Sequence, residues 1–120
     1  MSRDPRKLRV FAFADDLILD VYRTTANFPI EERFGLQTQL RRAALSAATN
    51  IVEGCARRTT REYLHFLNIA TGSAAEARYL LEVAYRLGMT SREVHSRMIL
   101  RYTELMKGLQ KLMASLESGA

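Results

Sequence analysis

The sequence has few of the residues that interrupt helices or cross-link chains. Its 120 residues include one cysteine, two prolines and no tryptophan. A single cysteine, Cys55, excludes an intrachain disulfide framework and is typical of a reducing compartment. Both prolines, Pro5 and Pro29, lie in the first quarter of the chain. Proline therefore interrupts nothing between Ile30 and the C-terminus, which permits long helices there.

Long apolar runs are also missing. Arg and Glu interrupt every stretch, whereas a membrane-spanning helix needs about 20 consecutive apolar residues. The N-terminal residues MSRDPRKLRV lack the apolar core of a secretory signal. With 48% hydrophobic residues, the chain is large enough to bury a core as one domain over residues 1–120. The sequence therefore predicts a soluble, cytoplasmic protein that does not associate with membranes.

Apolar residues recur at three- and four-residue intervals, the period of helices that bury one face. By this pattern, helix two is predicted to bury Leu36, Leu40, Ala43, Ala47 and Ile51. Capping boxes at Thr59–Glu62 and Thr90–Glu93 predict the starts of helices three and four. Helix one is predicted over residues 10–26, and helix two from a start between residues 31 and 35 to about residue 55. Helix three follows its Thr59 cap and ends at Leu87-Gly88, and helix four follows its Thr90 cap to about residue 116. We expect residues 1–9 to form a flexible basic arm and residues 117–120 a frayed tail.

Short connections force consecutive helices to pack largely antiparallel. The predicted fold is therefore all-α, an up-down-up-down four-helix bundle. Helix three carries a strict apolar seam, and helix four carries a second one with larger side chains. The seams comprise Leu67, Ala70, Ala74, Ala77, Leu81 and Ala84 on helix three, and Met98, Tyr102, Leu105, Leu109, Leu112 and Leu116 on helix four. Small residues on helices two and three predict their close approach, and surplus apolar positions on helices one and four predict a homo-oligomer.

Positive charge is concentrated in the first half of the chain. The net charge is +5; residues 1–61 carry eleven Lys and Arg against seven acids, or +4. Arginine binds phosphate well because its planar fork contacts two oxygens. The candidate nucleic-acid-binding residues are Arg57, Arg58 and Arg61 at the turn after helix two, with Arg41 and Arg42 earlier on that helix. The alternative is that these arginines only solvate a helical surface.

A polar stripe runs beside the apolar face of helix two. Its members are Arg42, Ser46, Asn50 and Glu53, and Glu76 on helix three is grouped with them as an interface residue. Ser and Asn compete with the helix backbone for hydrogen bonds, so they are poor choices for an exposed helix interior. We expect either a buried network that fixes helix register or a ligand site.

Catalytic constellations are scarce. Glu62 and His65 have the E-x-x-H spacing of di-iron bundles, but those sites need two such motifs and two further carboxylates. Cys55 precedes Arg57 and Arg58, a setting that could lower a thiol pKa, although a lone cysteine usually packs. The sequence also lacks a phosphate-binding loop and paired zinc ligands. We therefore predict a protein that is not an enzyme and has no cofactor or metal.

The segment from Phe28 to Gly54 and its continuation through Arg57-Arg58, Glu62, Phe66-Leu67, Ala70, Gly72-Ser73 and Glu76 resembles a family of small bacterial four-helix-bundle proteins. The family includes proteins encoded in intervening sequences of large-subunit ribosomal RNA genes and accessory variability determinants of diversity-generating retroelements. The resemblance implies a ring-shaped homopentamer and, in the retroelement branch, binding to a reverse transcriptase and its RNA. The leading hypothesis is a non-enzymatic oligomeric scaffold that binds structured RNA or a ribonucleoprotein. The alternative is a protein-interaction ring with no nucleic-acid role.

Overall fold

The computed structural model describes residues 3–119, so Met1, Ser2 and Ala120 lie outside the described part of the chain. It contains four α-helices: α1 (Arg9–Thr25), α2 (Leu36–Cys55), α3 (Thr60–Arg86) and α4 (Arg92–Glu117). Short 3₁₀ turns at Pro5–Lys7 and Ile30–Glu32 precede α1 and α2. The structure thus confirms the predicted all-α four-helix bundle. Within residues 3–119, no helix combines the length and apolarity that a bilayer span requires.

Contacts between neighbouring helices run in opposite order along the two helices of each pair. A Cβ at Gly54, near the end of α2, would lie 2.9 Å from Tyr63 near the start of α3. Ser46, earlier on α2, hydrogen bonds to Ser73, further along α3. The same reversal appears at the other interfaces, in the pairs Arg78–Thr103 and Glu82–His95 for α3–α4, and Asp20–Arg101 and Val10–Gly108 for α1–α4. These are the contacts of an up-down-up-down arrangement.

The core lies along the bundle axis, and small residues line it where α2 meets α3. All six seam residues of α3 are buried, which confirms that prediction. On α4, five of the six seam residues are buried, whereas Leu112 is half-buried and Met113 is buried beside it. On α1, the sequence pattern predicts one buried face of Phe11, Ala14, Ile18 and Val21, with Leu17 flanking it. Ala14 and Val21 are buried, but Leu17 is also fully buried, and Phe11 and Ile18 are only half-buried.

Helix ends agree with the sequence at one capping box and differ at the other. Thr59 accepts a hydrogen bond from the Glu62 N–H at 3.1 Å, as the first box predicts. At α4 the cap is Ser91, which accepts from the Val94 N–H at 3.1 Å, and not the predicted Thr90. Gly88, with φ +76°, lies in the turn between α3 and α4. The hydroxyl that caps α4 therefore belongs to Ser91, one residue after the S/T-x-x-E match at Thr90.

Gly35 and Gly54 both permit close contacts, Gly35 as the residue that precedes α2 and Gly54 in its last turn. The Glu32 carboxylate accepts from the Leu36 N–H at 3.1 Å and would lie 2.9 Å from a Cβ at position 35. The Glu32 side chain thereby caps α2, and a residue with a Cβ would obstruct it. Gly54 has the sequence position of a terminating glycine, but it is the second-last residue of α2 and is buried against Tyr63 and Phe66.

The described residues at both chain ends form hydrogen bonds with the bundle. Arg3 donates to the Arg57 carbonyl and to Thr60, so the described residues of the predicted arm are docked on the bundle. The docked segment continues through the 3₁₀ turn, where Asp4 accepts from the Arg6 N–H. At the other end, Ser118 caps α4 and the Gly119 N–H donates to the Leu116 carbonyl at 3.2 Å. Residues 118 and 119 therefore form a helix cap, and the flexible arm and frayed tail stay predictions.

Candidate nucleic-acid interface

One end of the bundle, which we call the basic end, comprises residues 3–9 and 57–62. The antiparallel topology brings these two segments together, because the start of α1 lies beside the turn between α2 and α3. They contain seven Lys and Arg against two acids, a net charge of +5. That value equals the net charge of the whole chain. The remaining residues therefore sum to zero, so these two segments together carry a charge equal to the protein's whole positive excess.

Arg3 connects the two segments of the basic end. Its guanidinium donates to the Arg57 carbonyl at 2.8 Å and to the Thr60 hydroxyl at 3.2 Å, and it lies 5.4 Å from the centre of the Tyr63 ring. The Arg57 carbonyl lies beyond the end of α2, where backbone acceptors lack helical partners. Arg3 thus satisfies an end group of α2 while holding the N-terminal segment against the turn.

The three arginines of the turn are exposed. The Arg57 guanidinium lies 4.6 Å from the centre of the Phe66 ring. This contact restricts the orientation of the Arg57 side chain without neutralising its charge. Neither Arg58 nor Arg61 has an ion-pair partner among residues 3–119. By contrast, Arg6 pairs with Asp4 at 3.0 Å, and hydrogen bonding to Arg6 lowers the pKa of the Asp4 carboxyl. Arg58 and Arg61 are therefore the cations best placed to meet an external anion.

Arg41 and Arg42 are not part of the basic end. They precede Arg57 by about 15 residues of helix, or about 22 Å along its axis. Arg41 is occupied within the bundle: it donates to the Thr25 hydroxyl at 2.8 Å and lies 4.3 Å from the Tyr22 ring centre. Arg42 is exposed. The structure thus separates the five predicted arginines into a cluster of three and two residues elsewhere.

The predicted polar stripe forms a network, but a smaller one than expected. The Ser46 and Ser73 hydroxyls are 2.7 Å apart, and the Asn50 amide donates to the Ser46 carbonyl at 2.8 Å and hydroxyl at 3.0 Å. These partly buried groups join α2 to α3, as expected of a network that fixes register. The other three candidates, Arg42, Glu53 and Glu76, are exposed and, among the described residues, form no hydrogen bond with this cluster.

Cys55 is a packing residue of the core. Its thiol donates to the Tyr63 hydroxyl at 3.8 Å, and burial raises the pKa of the thiol. The sequence suggests that Arg57 and Arg58 could lower this pKa; in the structure burial disfavours the thiolate and outweighs the hydrogen bond to Tyr63 and the charge of Arg3, which lower the pKa. Glu62 bonds to the Thr59 hydroxyl at 2.9 Å as part of the helix cap. No three His, Cys, Asp or Glu side chains within residues 3–119 converge as metal ligands.

Several contacts that hold the helices and the N-terminal segment together are not predicted from the sequence. Arg3 was assigned to a free arm, and Ser73 was noted only in the family motif. Asp20 accepts from Arg101 and lies within 4 Å of Arg97, joining α1 to α4. Each of these contacts joins residues far apart in sequence, so helical periodicity carried no signal for them.

Exposed apolar side chains are spread around the molecule. The largest exposed fractions belong to Phe34, at 88%, and Ile30, at 77%, both between α1 and α2. Tyr79 on α3 and Leu100 on α4 are also more than half exposed. The sequence placed the surplus on helices one and four only. The apolar surface available to a partner is therefore distributed over several faces, and the end opposite the basic end has its most exposed members.

The fold and the charge distribution define a class of protein: an all-α four-helix bundle whose excess positive charge lies at one end. The chain belongs to the family of 23S rRNA-intervening sequence proteins, whose family model matches residues 6–111. It is similar to a protein of unknown function from the S23 ribosomal protein family of Bacteroides thetaiotaomicron, with 25% identity and a TM-score of 0.77. That match covers 87% of this chain and 97% of the other. None of the curated proteins compared with the chain matches it.

Proposed function

We propose that this protein is a non-enzymatic, cytoplasmic, oligomeric scaffold that binds structured RNA or a ribonucleoprotein through its basic end. The observation that carries the proposal is the location of the entire net charge of +5 on residues 3–9 and 57–62. Family membership supports RNA as the polyanion, because the family is described by its association with 23S rRNA genes. Arg58 and Arg61 are the principal phosphate ligands in this proposal, and Arg57 assists from its position over Phe66.

Recognition at this end depends on charge and shape. Phosphate contacts position a protein on nucleic acid, whereas reading bases in single-stranded RNA generally uses exposed aromatic rings. Tyr63 is fully buried, and Phe66 is half-buried beneath Arg57. These two aromatic side chains beside the basic end therefore support the arginines and do not offer open stacking platforms. We expect a preference for folded RNA over a particular sequence.

The test is RNA affinity across a salt series, using nuclease-treated protein and a structured RNA. The Arg58→Glu/Arg61→Glu variant lowers the net charge by four, as does the control Arg86→Glu/Arg92→Glu at the opposite end of the bundle. Each phosphate contact contributes about −0.7 to the log–log slope for single strands and about −0.9 for B-form DNA. We expect the first variant to bind more than tenfold more weakly with a shallower slope, and the control to stay within about threefold of wild type. Equal losses in both variants would refute the assigned site.

The second candidate function is a protein-interaction ring, favoured by the exposed Phe34 and Ile30 at the end opposite the arginines. The resemblance implies a pentamer, and a reverse transcriptase is one partner it suggests. A stable oligomer that binds no RNA at low salt would favour this function over RNA scaffolding. Light scattering on the same nuclease-treated sample measures the oligomeric mass against the 13.7 kDa protomer.

A further inference from the structure

A groove of about 550 Å³ lies between the first turns of α1 and the C-terminal half of α4. Its apolar lining comes from Val10 and Phe13 on α1 and from Leu105 and Leu112 on α4. Leu105 is fully buried, whereas the other three are half-buried and pack against the core. The groove therefore exposes the edge of the core to solvent along about 10 Å of α4.

Gly108 lies in the middle of this groove and sets its depth. A Cβ at this position would be 2.9 Å from Cγ1 of Val10. Glycine is a poor helix former, and Gly108 occupies the interior of α4, where most other residues would favour the helix more. Its presence lets α1 approach α4 and leaves a stretch of α4 without a side chain over the apolar lining.

Three cations surround the groove against a single acid. Arg9, Lys107 and Lys111 are exposed and line the groove together with Glu104. Lys107 and Lys111 are four residues apart on one helix, a spacing at which like charges repel. Within residues 3–119, none of the three cations has an ion-pair partner. An anion bound between them would relieve this repulsion.

We propose that the groove binds a small amphipathic anion, an aliphatic carboxylate of medium chain length. The carboxylate lies between Lys107 and Lys111, and the hydrocarbon chain lies along Val10, Phe13 and Leu112. The volume favours a small molecule, because ligand sites typically enclose about 300–1,000 Å³. The groove adjoins the basic end, because Arg9 belongs to both, but the proposed principal phosphate ligands Arg58 and Arg61 do not line it.

The test uses dodecanoate, below its micelle concentration, as the probe in calorimetric titration of the full-length protein. We expect saturable binding that strengthens up to about fourfold per methylene from octanoate to dodecanoate, as burial of hydrocarbon predicts. Lys107→Glu/Lys111→Glu should weaken binding at least tenfold. Two controls carry the same change in net charge, Arg86→Glu/Arg92→Glu and Arg58→Glu/Arg61→Glu, and both should stay within about twofold of wild type.

Amide chemical shifts locate the bound probe independently of affinity. Dodecanoate should perturb the resonances of residues 10, 13, 108 and 112 more than those of the opposite end. The proposal is overturned by the absence of saturable binding, by equal affinity for neutral dodecanol, by equal losses in all three charge variants, or by shifts centred elsewhere. Loss of amphiphile binding with intact RNA binding in the Lys107→Glu/Lys111→Glu variant would separate this site from the basic end.

Discussion

Gly54 and Gly72 place the same substitution in two opposite environments of the α2–α3 pair. A Cβ at Gly54 would lie 2.9 Å from Cδ1 of Tyr63, 3.1 Å from Cβ of Phe66 and 3.3 Å from the Tyr63 carbonyl oxygen. A Cβ at Gly72 would meet nothing within 4 Å. Alanine at either position gains up to about 1 kcal/mol of helix propensity, with less at Gly54, which is next to the last residue of α2.

The packing cost decides the sign at Gly54. Overpacking a well-packed core typically costs about 1–3 kcal/mol, and here two of the three close atoms belong to backbone or to a Cβ that cannot move alone. We therefore expect Gly54→Ala to lower the free energy of unfolding by about 1–2 kcal/mol. Gly72→Ala should raise it by about 0.5–1 kcal/mol. The two melting temperatures should move in opposite directions by a few degrees each.

Urea unfolding followed by circular dichroism measures both variants, at one fixed protein concentration because assembly would couple to stability. A Gly54→Ala midpoint equal to or above that of wild type would refute the packing argument. A Gly72→Ala midpoint below that of wild type would refute the propensity argument, or would reveal that Gly72 contacts a second molecule. In that second case the loss would grow with protein concentration, because an interface is populated only when the protein assembles.

Two further predictions concern the buried tyrosines. Tyr102→Phe should stabilise the protein by about 1 kcal/mol, because the buried hydroxyl has no hydrogen-bond partner among the described residues and desolvating it is costly; a lower urea midpoint would contradict this. Burial, as the largest cause, raises the pKa of Tyr63 and of Tyr102 in the folded state. The unfolded state then releases these protons first, so their contribution to stability is complete below about pH 10 and is lost as pH rises above it. In an absorbance titration at 295 nm, two of the five tyrosines should ionise together with the loss of helical signal, and Tyr63→Phe/Tyr102→Phe should lack that step. Ionisation of both before any loss of helix would contradict the expected coupling.

The helices could be predicted because their apolar periodicity is local. The seam from Leu67 to Ala84 is buried as its spacing requires, since each position depends only on neighbours three or four residues away. Helix ends were harder, because the choice between Thr90 and Ser91 depends on how the chain leaves the turn at Gly88. The burial of Leu17 in place of Ile18 has a similar origin: the rotation of α1 is fixed by α2 and α4, not by α1 alone.

In the candidate site, too, features that depend on neighbouring residues could be predicted, and contacts between distant residues could not. Arg57, Arg58 and Arg61 lie within five residues, so their clustering at a turn is readable from sequence. The contact of Arg3 with the Arg57 carbonyl spans 54 residues, and that of Ser46 with Ser73 spans 27. Such pairs depend on the antiparallel alignment of whole helices, and no local pattern reports them. The same alignment explains why Arg41 contacts Tyr22 and Thr25 on α1, although its neighbour in sequence, Arg42, is exposed.

The location of charge matters more for this protein than its total. A net charge of +5 on 120 residues is moderate, and it would attract RNA weakly if it were spread evenly over the surface. Screening limits each exposed charge to about 8 Å at physiological ionic strength, so a phosphate responds to the cations within that distance. Because Arg3 holds the N-terminal segment against the α2–α3 turn, seven cations share one end with two acids. The local excess there equals that of the entire chain. A bundle with the same composition but an undocked N-terminal segment would present only the turn arginines to a polyanion.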